Sequence, residues 1–380
     1  MRIAINAINL VSAGTLATGK QFLSALADVD RGNHYLVVAP SGFGYEDIMS
    51  NGNFQFKFYP RMKWLNKPWR IYQDFVGFKK LIRRFGANAA LILGNICPVR
   101  LDVPTVVLFR NSYYVDQSDF QQFSRKWQIL KKLEMLFFRS TTKRTDAFVV
   151  QSEYMKERLS QRWSVSDSRI KVIPNAISTR LNREISREKP EAITNLDGKF
   201  KMLYVSRYYP HKNHEFIVKL AKHFRANGIN DLVFLVTLNK ELNGVEPILR
   251  EIRENSLEDL ICNIEEMPQE ELADWYRYAD ILFFPSHLET FGNAFVESMS
   301  FGLPICAVDL PYARSVCDNA AVYYQKDSLE DAAQKILMLK NNAALREEVS
   351  NRSEERFHRF PSWQGVAERY LNILENSVDR

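Results

Sequence analysis

Four charged side chains stand where they could act on an anionic, hydroxyl-rich ligand. Arg207 and Lys212 lie in YVSRYYPHKNHEFIV (204–218), after a run that reads as a strand and before a helix expected to start near His214. Glu289 and Glu297 lie in ILFFPSHLETFGNAFVESMSFGLPICAV (281–308). There a strand is expected to end at Ser286, and a loop holds His287 to Gly292. Asn293 is placed to cap a short helix over Ala294 to Phe301, Gly302 ends it, and Pro304 opens the next strand. Cations at the C-terminal edge of a strand can neutralise a diphosphate leaving group, and a helix start favours the same ligand. A carboxylate repels phosphate, so the two glutamates suit hydroxyl donors. One carboxylate holding a pair of ribose hydroxyls would contribute roughly 1.5–3 kcal/mol. Taken singly, each residue also has a plainer reading: surface cations beside a turn, a solvated Glu289, a Glu297 that complements the helix dipole. The two segments together favour the ligand.

These residues need strands to present them. The runs 2–8, 34–39, 90–95, 105–111 and 147–152 are short, β-rich and mostly apolar throughout, as buried parallel strands are. The pattern restarts at 201–206, 231–238, 281–286 and 304–308. Amphipathic helical stretches alternate with both series, which predicts two parallel α/β domains. The polar stretch STRLNREISREKPEAITNLDGKF separates them, with a hinge near 177–200. The tail FPSWQGVAERYLNILENSVDR reads as a helix capped by Ser362, with Val366, Tyr370, Ile373 and Leu374 on one face.

Composition bounds the function. With 380 residues, 46% hydrophobic and 25% charged, the chain can bury two cores, which excludes disorder, collagen and a disulfide-stapled miniature. No apolar run approaches the roughly 18 residues of a spanning helix. Asn6 and Asn9 interrupt the opening stretch, so it does not read as a secretory signal. Cys97, Cys262, Cys306 and Cys317 show no metal spacing and suggest a reducing compartment. The expectation is a cytoplasmic two-domain protein.

Net charge is +6, but residues 1–180 carry 27 Lys and Arg against 13 Asp and Glu, whereas residues 181–380 carry 24 against 32. The basic half contains two amphipathic stretches. In 63–86, Ile71, Phe75, Phe78, Ile82 and Phe85 mark one face, and Lys79, Lys80, Arg83 and Arg84 crowd the other. The second is SRKWQILKKLEMLFFRSTTKR (124–144); Trp64, Trp69 and Trp127 lie in or near the two. Each alone reads as a core helix with a solvated basic face. Together they suggest peripheral contact with an anionic membrane surface. Nucleic acid is disfavoured because no binding module is apparent.

Two motifs look like more than they are. Gly14 to Lys20 has the spacing of a phosphate-cradling loop, but Gln21 stands where the Mg²⁺-holding hydroxyl belongs. A nucleotide triphosphatase is rejected, and a Gly-rich turn at Gly14 that brings backbone near a ligand is kept. Asp28-Val-Asp30 falls at a helix end, where solvated acids are expected rather than a metal site.

Ser-Arg-(x4)-Lys after a strand, followed by Pro-Ser-(x2)-Glu-Thr-Phe-Gly-(x4)-Glu-(x4)-Gly-x-Pro, resembles family 4 of the retaining glycosyltransferases. VIPNAI (172–177) and ELADWYRYADILFFPS (271–286) are similar to the family's hinge strand and its run into the motif. The resemblance is close over about 147–325 and loose before it. It implies a GT-B fold, two Rossmann-like domains facing a central cleft. Residues 1–176 with a returning helix 361–380 would bind the acceptor, and 177–360 the nucleotide-diphosphate sugar. Arg207 and Lys212 would hold the diphosphate and Glu297 the ribose. Glu289, with the backbone of Phe291, Gly292, Asn293 and Ala294, would face the sugar. The base would pack between Asn263 and Met267.

The resemblance further implies a retaining, metal-independent transfer of a hexose to a glycan, lipid-linked, in surface polysaccharide synthesis, with no cofactor beyond the donor. Front-face attack, in which the departing phosphate oxygen takes the acceptor's proton, would account for retention. Two departures stand out. The family's opening Gly-Gly pair is Ala13-Gly14 here, and its His after the strand matching TVVLFRN is replaced by Arg110 and Asn111. A GT-B epimerase or phosphorylase-like enzyme, or an inactive nucleotide-sugar-binding protein, stays open as an alternative.

Overall fold

The computed structural model describes residues 1–11, 13–48, 52–60, 76–97, 99–116, 125–177, 181, 189 and 191–378. The chain divides into two compact units, Met1–Ala176 with Pro361–Arg380 and Ile177–Phe360.

The first unit is built on β1 (Arg2–Asn6), β2 (His34–Pro40), β3 (Phe54–Tyr59), β4 (Ala89–Ile92), β5 (Thr105–Leu108), β6 (Ala147–Val150) and β7 (Ile170–Val172). They form one sheet in the order β3-β2-β1-β4-β5-β6-β7, every pair parallel. In register, Ile3 sits between Tyr35 of β2 and Ala89 of β4. The second unit repeats this plan. It uses β8 (Phe200–Tyr204), β9 (Leu232–Val236), β10 (Ile261–Asn263), β11 (Ile281–Phe284), β12 (Ile305–Val308) and β13 (Ala321–Tyr324), in the parallel order β10-β9-β8-β11-β12-β13. Strands such as β4, β5, β8 and β11 are buried at every position, because helices cover both faces of each sheet. Each unit is a Rossmann-like parallel-sheet domain.

All nine strands read from the sequence are present, several of them shorter. The four not read as such, β3, β7, β10 and β13, are the four sheet edges, where one flank is unpaired and the apolar run is short or interrupted. VIPNAI overlaps β7 only at Val172.

The C-terminal helix Trp363–Val378 packs on the helix Ala13–Val29 of the first unit. Ser362 Oγ accepts from Gly365 N at 3.1 Å, and Trp363, Val366, Ala367, Tyr370 and Leu374 face inward. Phe22 and Tyr370 meet with ring centroids 4.8 Å apart. Ile373 is only partly buried.

Three sequence expectations change. Gly14 does not lie in a turn, because the helix begins at Ala13 and all of Gly14 to Lys20 is helical. A side chain at Gly14 would meet nothing within 4 Å, whereas one at Gly19 would lie 2.5 Å from Leu10 Cδ1. Of the two, Gly19 is the one where a side chain would crowd its neighbours. Asp30 is not solvated but 8% exposed. Burial pushes its pKa up, yet hydrogen bonds from Tyr35, Asn33 and Gly32 outweigh that and hold it below the usual value. It organises the turn into β2. The basic face of the first amphipathic stretch is partly neutralised: Asp102 takes Arg83 at 2.6 Å and Lys79 at 3.1 Å. That helix is described over Phe78–Phe85, with Phe78 and Ile82 buried. Trp64, Trp69, Ile71 and Phe75 lie outside the described residues.

Candidate active site

In the second unit the strand order reverses between β8 and β11, so chain leaves these neighbouring strands in opposite directions across the sheet. Open parallel sheets take ligands beyond the C-terminal ends of strands at such a reversal. The loop after β8 carries Arg207 and Lys212, and the loop after β11 carries Glu289. Local hydrogen bonds stitch the loops together. His287 N donates to His211 O at 2.7 Å, and Ser286 Oγ donates to the same carbonyl at 3.3 Å. Asn213 Nδ2 reaches Pro285 O at 3.4 Å and His287 Nε2 at 2.8 Å. Asn213 adopts the left-handed conformation (φ 58°) that ends the short 3-10 turn Pro210–Lys212 and aims Lys212 across the gap.

The result is an ion pair between Lys212 Nζ and Glu289 Oε1, with side chains only 18% and 11% exposed. Arg207 has its own carboxylate: Nε lies 3.8 Å from Glu266 Oε2, and the same oxygen accepts from Asn239 Nδ2 at 3.0 Å. Arg207 Nε is buried without a hydrogen-bond partner. The loops after β8, β10 and β11 thus carry two cation–carboxylate pairs, each able to exchange its carboxylate for an anion.

Glu297 is 8% exposed on the helix Asn293–Met299, and its Oε2 accepts from Tyr276 Oη at 2.7 Å. Burial raises its pKa, and the tyrosine bond partly opposes that rise. Tyr276, on the helix Gln269–Tyr278, carries no signal of its own in the sequence, and neither does Glu266. Both are found only because the fold sets them beside recognised residues.

The loop into the helix Asn293–Met299 differs from expectation. Asn293 is the first helical residue and not the cap; Gly292 occupies the cap position at φ 79°. A side chain at Gly292 would lie 2.9 Å from Phe295 Cδ2, so glycine is required there by both backbone and space. The helix ends at Met299, short of Phe301, because Gly302 turns the chain at φ 62°. Phe291 is buried, edge-on to Phe360 at 5.9 Å, so only its backbone can face a ligand; Ala294 is buried too, and Asn293 is exposed. At the end of β10, Asn263 brackets Leu238, accepting its N–H at 2.9 Å and donating to its carbonyl at 3.0 Å. Met267 is half-buried in the following loop. His211 and His214 are buried, and desolvation depresses their pKa values to about 2 and about 3, so both are neutral at physiological pH.

In the first unit, Asn111 caps the 3-10 turn Ser112–Tyr114, its Oδ1 accepting from Tyr113 N at 3.2 Å. That use leaves its amide hydrogens to donate. Arg110 is turned into the unit: its guanidinium donates to Leu93 O at 3.3 Å, and its N–H to Asn95 Oδ1 at 2.5 Å. Gly14 is exposed at the start of its helix.

Comparison with known proteins agrees with this layout. The family described as Glycosyltransferase Family 4 matches residues 20–181, and that described as Glycosyl transferases group 1 matches residues 186–356. The O-antigen chain mannosyltransferase RfbU of Salmonella typhimurium is 23% identical over 336 residues, covering 84% of this chain and 86% of that protein. A probable sucrose-phosphate synthase of Thermosipho melanesiensis is 26% identical over 182 residues, 47% of this chain. The match spans 42% of that relative's length. Among solved structures, Anabaena HepE in complex with UDP and glucose superposes with a TM-score of 0.73 at 12% identity, covering 99% of this chain and 100% of that one.

Proposed function

The chain belongs to glycosyltransferase family 4 and has the GT-B fold, and we propose that it moves a hexose from a nucleotide-diphosphate sugar to a glycan hydroxyl, with retention and without a metal. The observation that supports this reading is the Lys212–Glu289 ion pair beyond β8 and β11, with Arg207 on the same loop as Lys212.

In this reading the donor diphosphate binds Arg207 and Lys212, which stabilise charge as the sugar–phosphate bond breaks. Lys212 exchanges Glu289 for phosphate, and the released carboxylate turns to the sugar hydroxyls beside the backbone of Phe291, Gly292, Asn293 and Ala294. Glu297 accepts from the ribose hydroxyls while Tyr276 fixes its orientation, and the base packs against Met267. Asn111 offers amide hydrogens, and Gly14 backbone near the start of its helix. No side chain is assigned as nucleophile. The leaving phosphate oxygen takes the acceptor's proton on the face it departs from, and the new glycosidic bond forms on that face.

The O-antigen relative supports a lipid-linked glycan of a surface polysaccharide as acceptor, which would bring the enzyme to the cytoplasmic face of the inner membrane. The HepE complex supports a nucleoside diphosphate donor.

Calorimetric titration of wild type and Glu297→Ala with UDP, GDP, dTDP and CMP, without metal and then with Mg²⁺, tests the reading. Metal-independent binding of one nucleotide, weakened in the variant, is expected. Binding to none of them would leave the fold without this chemistry, and binding that requires Mg²⁺ would remove the metal-free mechanism.

A further inference from the structure

Among the described residues, the helix Arg125–Arg144 is held along one side. Phe138, Thr141 and Thr142 are buried, and Phe138 stacks on Phe109 at 4.7 Å and meets Trp163 edge-on at 5.1 Å. Its other side carries Ile129, Leu130, Leu133, Leu136 and Phe137, which are 60%, 47%, 49%, 63% and 51% exposed. Their spacing of one, four, seven and eight residues from Ile129 draws a single stripe along the helix. The remaining exposed large hydrophobic residues among those described, Val11, Val76, Tyr209 and Met338, are scattered. A stripe of this kind marks a surface that something covers.

The charges beside the stripe identify the occupant. Six cations are exposed on the helix: Arg125, Lys126, Lys132, Arg139, Lys143 and Arg144. Its one acid, Glu134, is paired with Lys131 at 2.6 Å and accepts from the Tyr114 hydroxyl at 3.0 Å. A second copy of the chain would set these cations against themselves. An anionic bilayer answers both features: apolar side chains enter the headgroup–acyl boundary while lysine and arginine stems reach out to lipid phosphates.

We propose that this face of Arg125–Arg144 docks the protein onto an anionic lipid bilayer. The inference deepens the acceptor reading above and gives a lipid-linked acceptor a surface to approach, but the face can be tested without any acceptor.

The experiment is flotation of the full chain with vesicles of phosphatidylcholine alone and of two parts phosphatidylcholine to one part phosphatidylglycerol. Wild type should float with the mixed vesicles, not with neutral ones, and less in high salt. Leu133→Ser with Leu136→Ser should lower the bound fraction at least ~10-fold, since both side chains are exposed and each replacement removes apolar contact. Lys126→Glu with Lys132→Glu should lower it by roughly fivefold or more per position. Equal flotation on both vesicle types, or variants that float like wild type, would overturn the proposal. So would a wild-type dimer in gel filtration that the leucine variant disperses. Nucleotide titration of the same samples separates the two readings. Variants that keep nucleotide binding but not flotation support the docking face, and a wild type that floats yet binds no nucleotide leaves docking standing while the transferase reading fails.

Discussion

Lys212 and Glu289, 77 residues apart in the chain, form a largely buried ion pair because β8 and β11 lie side by side. The cation assigned to the diphosphate and the carboxylate assigned to the sugar hold each other. Glu289→Gln frees Lys212 for phosphate. Nucleoside diphosphate should then bind several-fold to ~10-fold more tightly, while transfer falls at least ~100-fold through loss of the sugar contact. Titration and kcat of the same variant measure both. Weaker nucleotide binding in the variant would show that Glu289 is no competitor of the phosphate.

Arg207→Ala combined with Lys212→Ala removes both cations proposed to hold the diphosphate. Turnover should fall by at least ~1,000-fold, as expected when charge stabilisation of a leaving group is lost. A retained rate in a donor-turnover assay would overturn the diphosphate assignment.

The Tyr276–Glu297 hydrogen bond gives a pH dependence with a definite sign. In the proposed ribose role Glu297 must be ionised to accept from two hydroxyls, and burial places its pKa above the ordinary 4.5. Nucleotide affinity should therefore fall as pH drops through that raised value. Tyr276→Phe removes the bond that opposes the rise, so its acid limb should move to higher pH than wild type. Comparing the two variants' titration curves cancels protonation of the nucleotide itself, and superimposed limbs would sink the idea.

The same shift sets a trend in stability. A carboxyl whose pKa is raised by folding favours the fold below its unfolded value, and that contribution is lost as pH rises through the folded value. Glu297→Gln should thus gain Tm relative to wild type as pH increases from 4 toward 8. A constant difference across this range would mean that folding does not shift the Glu297 pKa.

Leu374, 1% exposed on the C-terminal helix, packs in the core of the first unit. Leu374→Ala should cost about 2–5 kcal/mol there, measured by urea unfolding. A loss under 1 kcal/mol would place the helix elsewhere.

The amino-acid sequence determines what is local. Apolar runs bounded by turn residues mark every interior strand, the polar stretch after residue 177 separates two strand series, and Ser362 starts the last helix. Motif spacing brings Arg207, Lys212, Glu289 and Glu297 to notice before any contact is known. The edge strands β3, β7, β10 and β13 escape because a strand with one free flank needs no unbroken apolar run. Tertiary structure alone decides whatever depends on distant partners. Glu297 meets Tyr276, Arg207 faces Glu266, and Asp102 neutralises Lys79 and Arg83. Arg125–Arg144 has apolar residues on more than one side, so its periodicity cannot say which face the fold covers. Packing buries Phe138 and leaves Ile129 to Phe137 outside, because only the fold determines which neighbours each face has.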